Sequence, residues 1–190
     1  MEFLKGSTLR AYRSRFRNLA IHEIIRIAME TTRGLAAVHD CGLVHRDLKP
    51  DNVWVESPSL NIKIIDFGLA HATTEDMRLT RTGMFIGTPS YMSPEQASGS
   101  PIDPKADLFS LGCILYDLIT DVRPFERLSV FGTLTALANH TPTPPHELHS
   151  AVPEELSKLT MQLLEKSPTK RPSNCREVEV RLATILEQVD

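Results

Sequence analysis

The stretch VHRDLKPDNVW (residues 44–54) places a carboxylate, a cation and an amide close together, as Asp47, Lys49 and Asn52. Fourteen residues after Asn52 a second carboxylate, Asp66, sits in IDFGLA. An amide oxygen and a carboxylate are hard oxygen ligands of the kind Mg²⁺ prefers. Another carboxylate can accept the proton of an attacking hydroxyl, and a lysine can neutralise a phosphate in transit. Together these are the parts of a phosphoryl-transfer site.

Such parts need holding. Apolar residues at 21, 24, 25, 28, 35, 36 and 38 recur at helical spacing, which predicts a helix from Ile21 to His39, ended by Gly42 and Leu43. VWVE (53–56) and IKII (62–65) read as two short strands, able to pair as a hairpin between irregular stretches. Asp103-Pro104 starts another helix, with Asp as the cap and Pro in the first turn. Its sequence, KADLFSLGCILYDLIT, is apolar nearly all round, as expected of a helix at the centre of a domain. Two amphipathic helices are expected near 154–165 and 174–188. The catalytic candidates thus lie on a loop between a helix and a strand, in a mostly helical domain.

The 190 residues suit one domain with a real core. A net charge of −3 gives no electrostatic case for nucleic acid or an anionic membrane. Cys41, Cys113 and Cys175 form no CxxC pair and read as reduced thiols, Cys113 as a small core residue. No basic-then-apolar leader opens the sequence, and the longest apolar stretch, 108–120, is too short to span a bilayer and is broken by Asp117. A cytoplasmic location follows for this segment, with a membrane anchor left open for a full-length parent. His140, His146 and His149 read as a solvated loop rather than a metal site. The TPTPP run (141–145) reads as a link between helices, and Arg10, Arg13, Arg15 and Arg17 as a solvated helix face.

In order, HRDLKPDN, DFG, GTPSYMSPE, the Asp of ADLFSLG and the Arg of KRPS resemble the signature set of eukaryotic-type (Hanks-type) protein kinases. The resemblance covers the whole chain and implies a protein-kinase-like α+β fold, here its larger C-terminal lobe, mainly helical with a few short strands around the catalytic loop. It implies a hinge at 1–6, a catalytic loop at 44–52, an activation segment at 66–95 and a helical remainder at 96–190. It also implies ATP with Mg²⁺, or Mn²⁺ in its place, and a protein substrate. Asp47 then resembles the catalytic base, Lys49 the phosphate contact, and Asn52 and Asp66 the metal ligands. The Glu2 carbonyl and Leu4 amide face the adenine edge, and Trp54 stands where the family usually has an aliphatic floor under that ring. Lys49 together with Thr88 is the serine/threonine pattern, Thr88 lying in the segment that receives substrate.

Arg46 resembles the arginine that grips a phosphorylated activation segment, with Thr80 and Thr82 as the candidate phosphorylated residues. His71 stands at a phosphate-pocket position often held by Lys or Arg, and weakens that pocket at neutral pH. His45 and Phe67 resemble parts of an internal spine. Asp107 resembles the residue that hydrogen-bonds the catalytic-loop backbone, and Glu95 with Arg171 a buried ion pair. The GTPSYMSPEQASG and DLFSLGCILYDL stretches look more bacterial than animal.

The family's smaller lobe carries a glycine-rich loop and a strand lysine, and neither motif occurs in these 190 residues. Two functional expectations follow. One is a serine/threonine kinase catalytic domain missing its small lobe, which would be its natural partner, and inactive alone. The other is a non-catalytic lobe that serves as a binding module or has no function. The half-cleft is expected to expose apolar residues around Leu4, Val53, Trp54 and Phe67. MEFLKG reads as a hinge with Gly6 in a turn and Ser7 capping the helix after it.

Overall fold

The computed structural model describes residues 5–16, 18–57, 61–66 and 89–189. Within them the chain runs β1 (Gly6–Thr8), α1 (Leu9–Arg15), α2 (Ile21–Asp40), β2 (Val53–Glu56) and β3 (Ile62–Ile64). After residue 88 follow a 3₁₀ turn at Pro89–Tyr91, then α3 (Pro94–Ser98), α4 (Lys105–Thr120), α5 (Val130–Asn139) and α6 (Pro145–Leu148). The last helices are α7 (Glu154–Leu163) and α8 (Cys175–Val189), separated by a 3₁₀ turn at Pro168–Lys170.

Helix α4 is the axis. All its residues but Lys105 and Asp117 are buried, as its unbroken apolar sequence requires. Asp103 starts it twice over, its side chain accepting from the Lys105 N–H (2.8 Å) and its carbonyl from the Ala106 N–H (3.0 Å). Gly112 lets α7 approach closely, since a β-carbon there would stand 2.7 Å from the Leu163 β-carbon. Around α4 pack α2 and α7. Helix α8 lies along α2, with Arg33 bonded to Glu179 (2.6 Å) and Arg176 to Asp40 (3.0 Å) at its edges. The continuous core includes Ile25, Leu35, Leu48, Phe109, Leu115 and Phe125.

The three strands form one antiparallel sheet in the order β1-β2-β3, with Thr8 opposite Trp54 and Val53 opposite Ile64. The hairpin of β2 and β3 was legible from the sequence; its third strand was not. Gly6 and Ser7 belong to that strand rather than to a turn and a cap, and Thr8 is the residue that caps α1, accepting from the Ala11 N–H at 3.3 Å. Gly6 is needed for close approach: it has φ 147°, and a β-carbon would fall 2.1 Å from the Val55 carbonyl oxygen and 2.9 Å from Trp54 Nε1. Alternation along β2 also corrects the expected exposed face. Val53 and Val55 point into the core, Val53 being 0% exposed, while Trp54 is half-buried on the other side.

Candidate active site

The loop from Cys41 to Asn52 joins α2 to β2, and its own apolar and polar residues anchor it. Leu48 is buried in the core. His45, fully buried, receives the Asp47 N–H on Nδ1 (3.3 Å), so its Nε2–H is the one donated to the Ile65 carbonyl (3.1 Å). The Asn52 N–H closes a turn onto the Lys49 carbonyl (2.9 Å), and the Arg10 N–H of α1 donates to the Pro50 carbonyl (3.2 Å).

This brings three predicted residues into direct contact. The Asp47 carboxylate accepts from Lys49 Nζ at 2.6 Å and from Asn52 Nδ2 at 3.1 Å through the same oxygen, Oδ2. Asn52 Nδ2 also donates to the Asp47 carbonyl (2.8 Å). Both bonds use the amide nitrogen of a nearly buried side chain, which turns the amide so that its oxygen remains available to a hard cation. Asp47 and Lys49, at 41% and 36% side-chain exposure, face outward from the loop.

Asp66 arrives through the backbone. The Ile65 N–H donates to the Asn52 carbonyl (2.9 Å) while the Ile65 carbonyl takes the His45 ring proton. Asp66 follows that clasp with an exposed side chain and a left-handed backbone, φ 54°, which aspartate tolerates better than most residues. No hydrogen bond joins the Asp66 and Asn52 side chains. Their two oxygen-donor groups suit a divalent cation by chemistry.

Behind the loop stands Asp107, on the first turn of α4. Its Oδ2 accepts the His45 N–H (2.8 Å) and its Oδ1 the Arg46 N–H (2.9 Å). Arg46 is held at φ 67°, a strained conformation for a long side chain, and its exposed guanidinium has no hydrogen-bond partner among the described residues. The Arg46 carbonyl is gripped from α3 by Gln96 Nε2 (2.6 Å). Next to Gln96, Glu95 meets Arg171 in a bidentate pair at 2.6 and 2.9 Å. Arg171 spends its remaining N–H groups on the carbonyls of Lys105, Glu165 and Lys166, between 2.8 and 3.1 Å. Burial pushes the Glu95 carboxyl up, and the guanidinium outweighs it, leaving the group below its ordinary range.

Two positioning residues escaped the sequence reading. Gln96 is the third helical residue of a Ser-x-x-Gln capping box, its side chain accepting from the Ser93 N–H (3.0 Å). That box is visible in SPEQ, but the reach to Arg46 is not. Arg10 does not lie on a purely solvated face: its Nε and a terminal nitrogen each donate to Asp51 at 2.7 Å, pinning α1 to the loop. That guanidinium holds the Asp51 carboxyl below its usual value. Arg13 likewise pairs with Asp121 (3.1 Å). Both arginines line a cavity of about 560 Å³ that reaches Pro50, with Tyr91 bonded to Asp117 (2.7 Å) in its wall. His146 has a structural partner, Ser157 Oγ, at 2.8 Å.

Trp54 packs its indole against Gly6, and its Nε1 is buried with no hydrogen-bond partner among the described residues. Glu2, Leu4, Phe67, His71, Thr80, Thr82 and Thr88 lie outside the described residues.

With this geometry in view, comparison with known proteins gives the class. The sequence matches the protein kinase domain family over residues 1–182, and the chain belongs to that family. Relatives it resembles include bacterial serine/threonine kinases. A serine/threonine-protein kinase, pkn3, of Myxococcus xanthus is 37% identical over 194 residues, covering 97% of this chain and 35% of its own length. PknB of Mycobacterium leprae is 31% identical over 185 residues, covering 97% of this chain and 30% of its own. Pkn1 of Myxococcus xanthus is 37% identical over 174 residues, covering 90% and 25%. The chain thus spans about a third of the length of these relatives or less. Among the described residues no helix is long and apolar enough to cross a membrane.

Proposed function

We propose that residues 44–66 are the catalytic half of a serine/threonine protein kinase site, which transfers the γ-phosphate of ATP to a protein hydroxyl. The observation that carries this reading is the Asp47–Lys49–Asn52 contact set, an outward-facing carboxylate with a lysine and an amide on one of its oxygens. Asp47 would orient the substrate hydroxyl and take its proton. As that proton leaves, the hydroxyl oxygen bonds to the γ-phosphorus, and the bond to the β–γ bridging oxygen breaks, its electron pair leaving with ADP. Lys49 would set its ammonium against the charge on the moving phosphoryl group. Asn52 Oδ1 and the Asp66 carboxylate would hold a divalent cation, which when bound neutralises phosphate oxygens. Arg46, exposed and without a hydrogen-bond partner among the described residues, would receive a phosphate on the 66–95 segment, with Thr80 or Thr82 the residue modified.

The 190 residues supply one lysine near the phosphates and no glycine-rich loop or Ala-x-Lys strand. Positioning is worth ~7–11 kcal/mol in well-oriented reactions, so these residues alone should transfer phosphate poorly. A small lobe carrying those motifs would complete the cleft. The decisive assay measures phosphorylation of serine and threonine in a generic protein substrate by the 190 residues and by the completed domain. Transfer by the completed domain that is lost in Asp47→Asn supports the reading; transfer that survives the substitution overturns it. Phosphopeptide mapping that finds only sites other than Thr80 and Thr82 removes the regulatory part.

A further inference from the structure

Asp107 receives a third donor that the catalytic loop does not supply. His39, near the end of α2, places Nε2 at 2.8 Å from Asp107 Oδ2, and its other nitrogen, Nδ1, lies 3.4 Å from the sulfur of Cys175. Cys175 is the first residue of α8 and is 2% exposed. Three groups from three distant parts of the chain therefore stand in line, ending at the two backbone N–H groups that Asp107 holds.

The partners assign the protons. A carboxylate only accepts, so Nε2 carries a hydrogen. In a neutral ring Nδ1 is then the acceptor, and the Cys175 thiol is its donor. Burial pushes that thiol up to about 12, with Asp107, Asp40 and Glu179 acting in the same direction, so it keeps its proton. The reverse arrangement, with Nδ1–H donating to sulfur, would leave the ring doubly protonated.

We propose that Cys175 is a positioning residue of this kinase lobe. Its thiol proton, given to His39 Nδ1, keeps the ring neutral and in the Nε2–H form that braces Asp107, and so holds the backbone at His45 and Arg46. Without that donor, Nδ1 is a half-buried acceptor free to take up a proton or to turn away. A doubly protonated ring draws charge from the Asp107 carboxylate that otherwise serves the two amides, and a turned ring leaves Oδ2 with one donor. Either change loosens the residue in front of Asp47. The consequence for catalysis rests on reading 44–52 as the catalytic loop; the bonds themselves do not.

The test is nitrogen NMR on the ¹⁵N-labelled 190-residue chain at pH 7, which needs no phosphoryl transfer and so fails separately from the proposed function. In the unaltered protein His39 should show a protonated Nε2 and a bare Nδ1. A protonated Nδ1, with or without Nε2, overturns the proposal with no variant made. In Cys175→Ala the Nδ1 signal should move towards the protonated value, and the His45 and Arg46 amides should exchange about tenfold faster. Cys175→Ser, which retains an O–H donor, should restore both. Unchanged His39 signals and amide exchange in Cys175→Ala overturn it. So does a serine variant that folds yet exchanges at the faster rate, a comparison that stands even where the alanine variant fails to fold.

Discussion

The Glu95–Arg171 and Asp47–Lys49 pairs share a closest approach of 2.6 Å and differ in their surroundings. Glu95–Arg171 is almost wholly out of solvent, at 7% and 0% side-chain exposure, and Arg171 spends all five of its donors. Asp47–Lys49 is about two-fifths exposed, and the lysine makes that one bond among the described residues. A saturated, buried pair has nothing left for a substrate and much to lose if broken. An exposed pair with unused donors and lone pairs contributes little to stability and can exchange its partners for a reacting phosphate. Burial and saturation, rather than residue type, separate the scaffold pair from the pair proposed for chemistry.

The sharpest break of that contrast pairs Asp47→Asn with Arg171→Met. Under the proposed function, removing the Asp47 carboxylate should lower phosphoryl transfer by a domain that includes the small lobe ~10²–10⁴-fold. Its unfolding free energy should stay within about 0.5 kcal/mol of the parent, as for surface changes generally, measured by urea unfolding. Arg171→Met should do the reverse, costing about 3–5 kcal/mol because Glu95 is left buried and unpaired. The pair's stabilisation is present above the ordinary carboxylate range and is lost as pH falls through the depressed Glu95 value. The deficit of the variant should therefore shrink as the pH drops below the ordinary carboxylate range. A deficit independent of pH would show that packing, not charge, sets the effect.

Lys166 sharpens the comparison from within the scaffold. Phe109 and Phe125 stack at 5.4 Å; Arg171 lies 4.9 Å above the first ring and Lys166 Nζ 3.7 Å from the second. Arg171 has a carboxylate, whereas Lys166 Nζ is buried without a hydrogen-bond partner among the described residues. Burial accordingly lowers the lysine from its ordinary 10.5 to about 8. Between those values the unfolded chain holds a proton that the folded one does not, so this residue makes stability rise with pH across the window and opposes folding below it. Lys166→Met should stabilise the lobe by roughly 1–3 kcal/mol at pH 7. That gain should fade between pH 8 and 10.5. A loss of stability at pH 7 would mean that contact with the rings outweighs the cost of burying the charge.

Local order in the chain was easy to read, and convergence across it was not. Helices α2, α4, α7 and α8 announce themselves by the spacing and extent of their apolar residues, and β2 with β3 by two short apolar runs. Strand β1 carries no such signal, because Gly6, Ser7 and Thr8 are small or polar and join the sheet only through the edge of β2. At the site, Asp47, Lys49 and Asn52 are five residues apart or fewer, so one loop suffices to bring them together. The bonds from Gln96 and Asp107 span 50 residues or more and depend on how α3 and α4 pack. Family resemblance named Asp107, Glu95 and Arg171. It was silent on His39, Gln96 and Cys175, whose types suit many roles and whose partners only folding reveals.

Arg10 is the case between the two pairs and should show the smallest effect. Its bond to Asp51 is bidentate, as ideal in geometry as that of Arg171, yet the side chains are 43% and 40% exposed. Water replaces much of what the pair loses, so Arg10→Ala should cost about 0.2–1 kcal/mol in unfolding free energy, less in high salt. The Arg10 N–H still reaches the Pro50 carbonyl in that variant, which keeps α1 against the loop. Geometry alone would rank Arg10 beside Arg171. A loss near that of Arg171→Met would mean that two well-aligned bonds matter more than burial, and the distinction between the scaffold pair and the exposed one would fall with it.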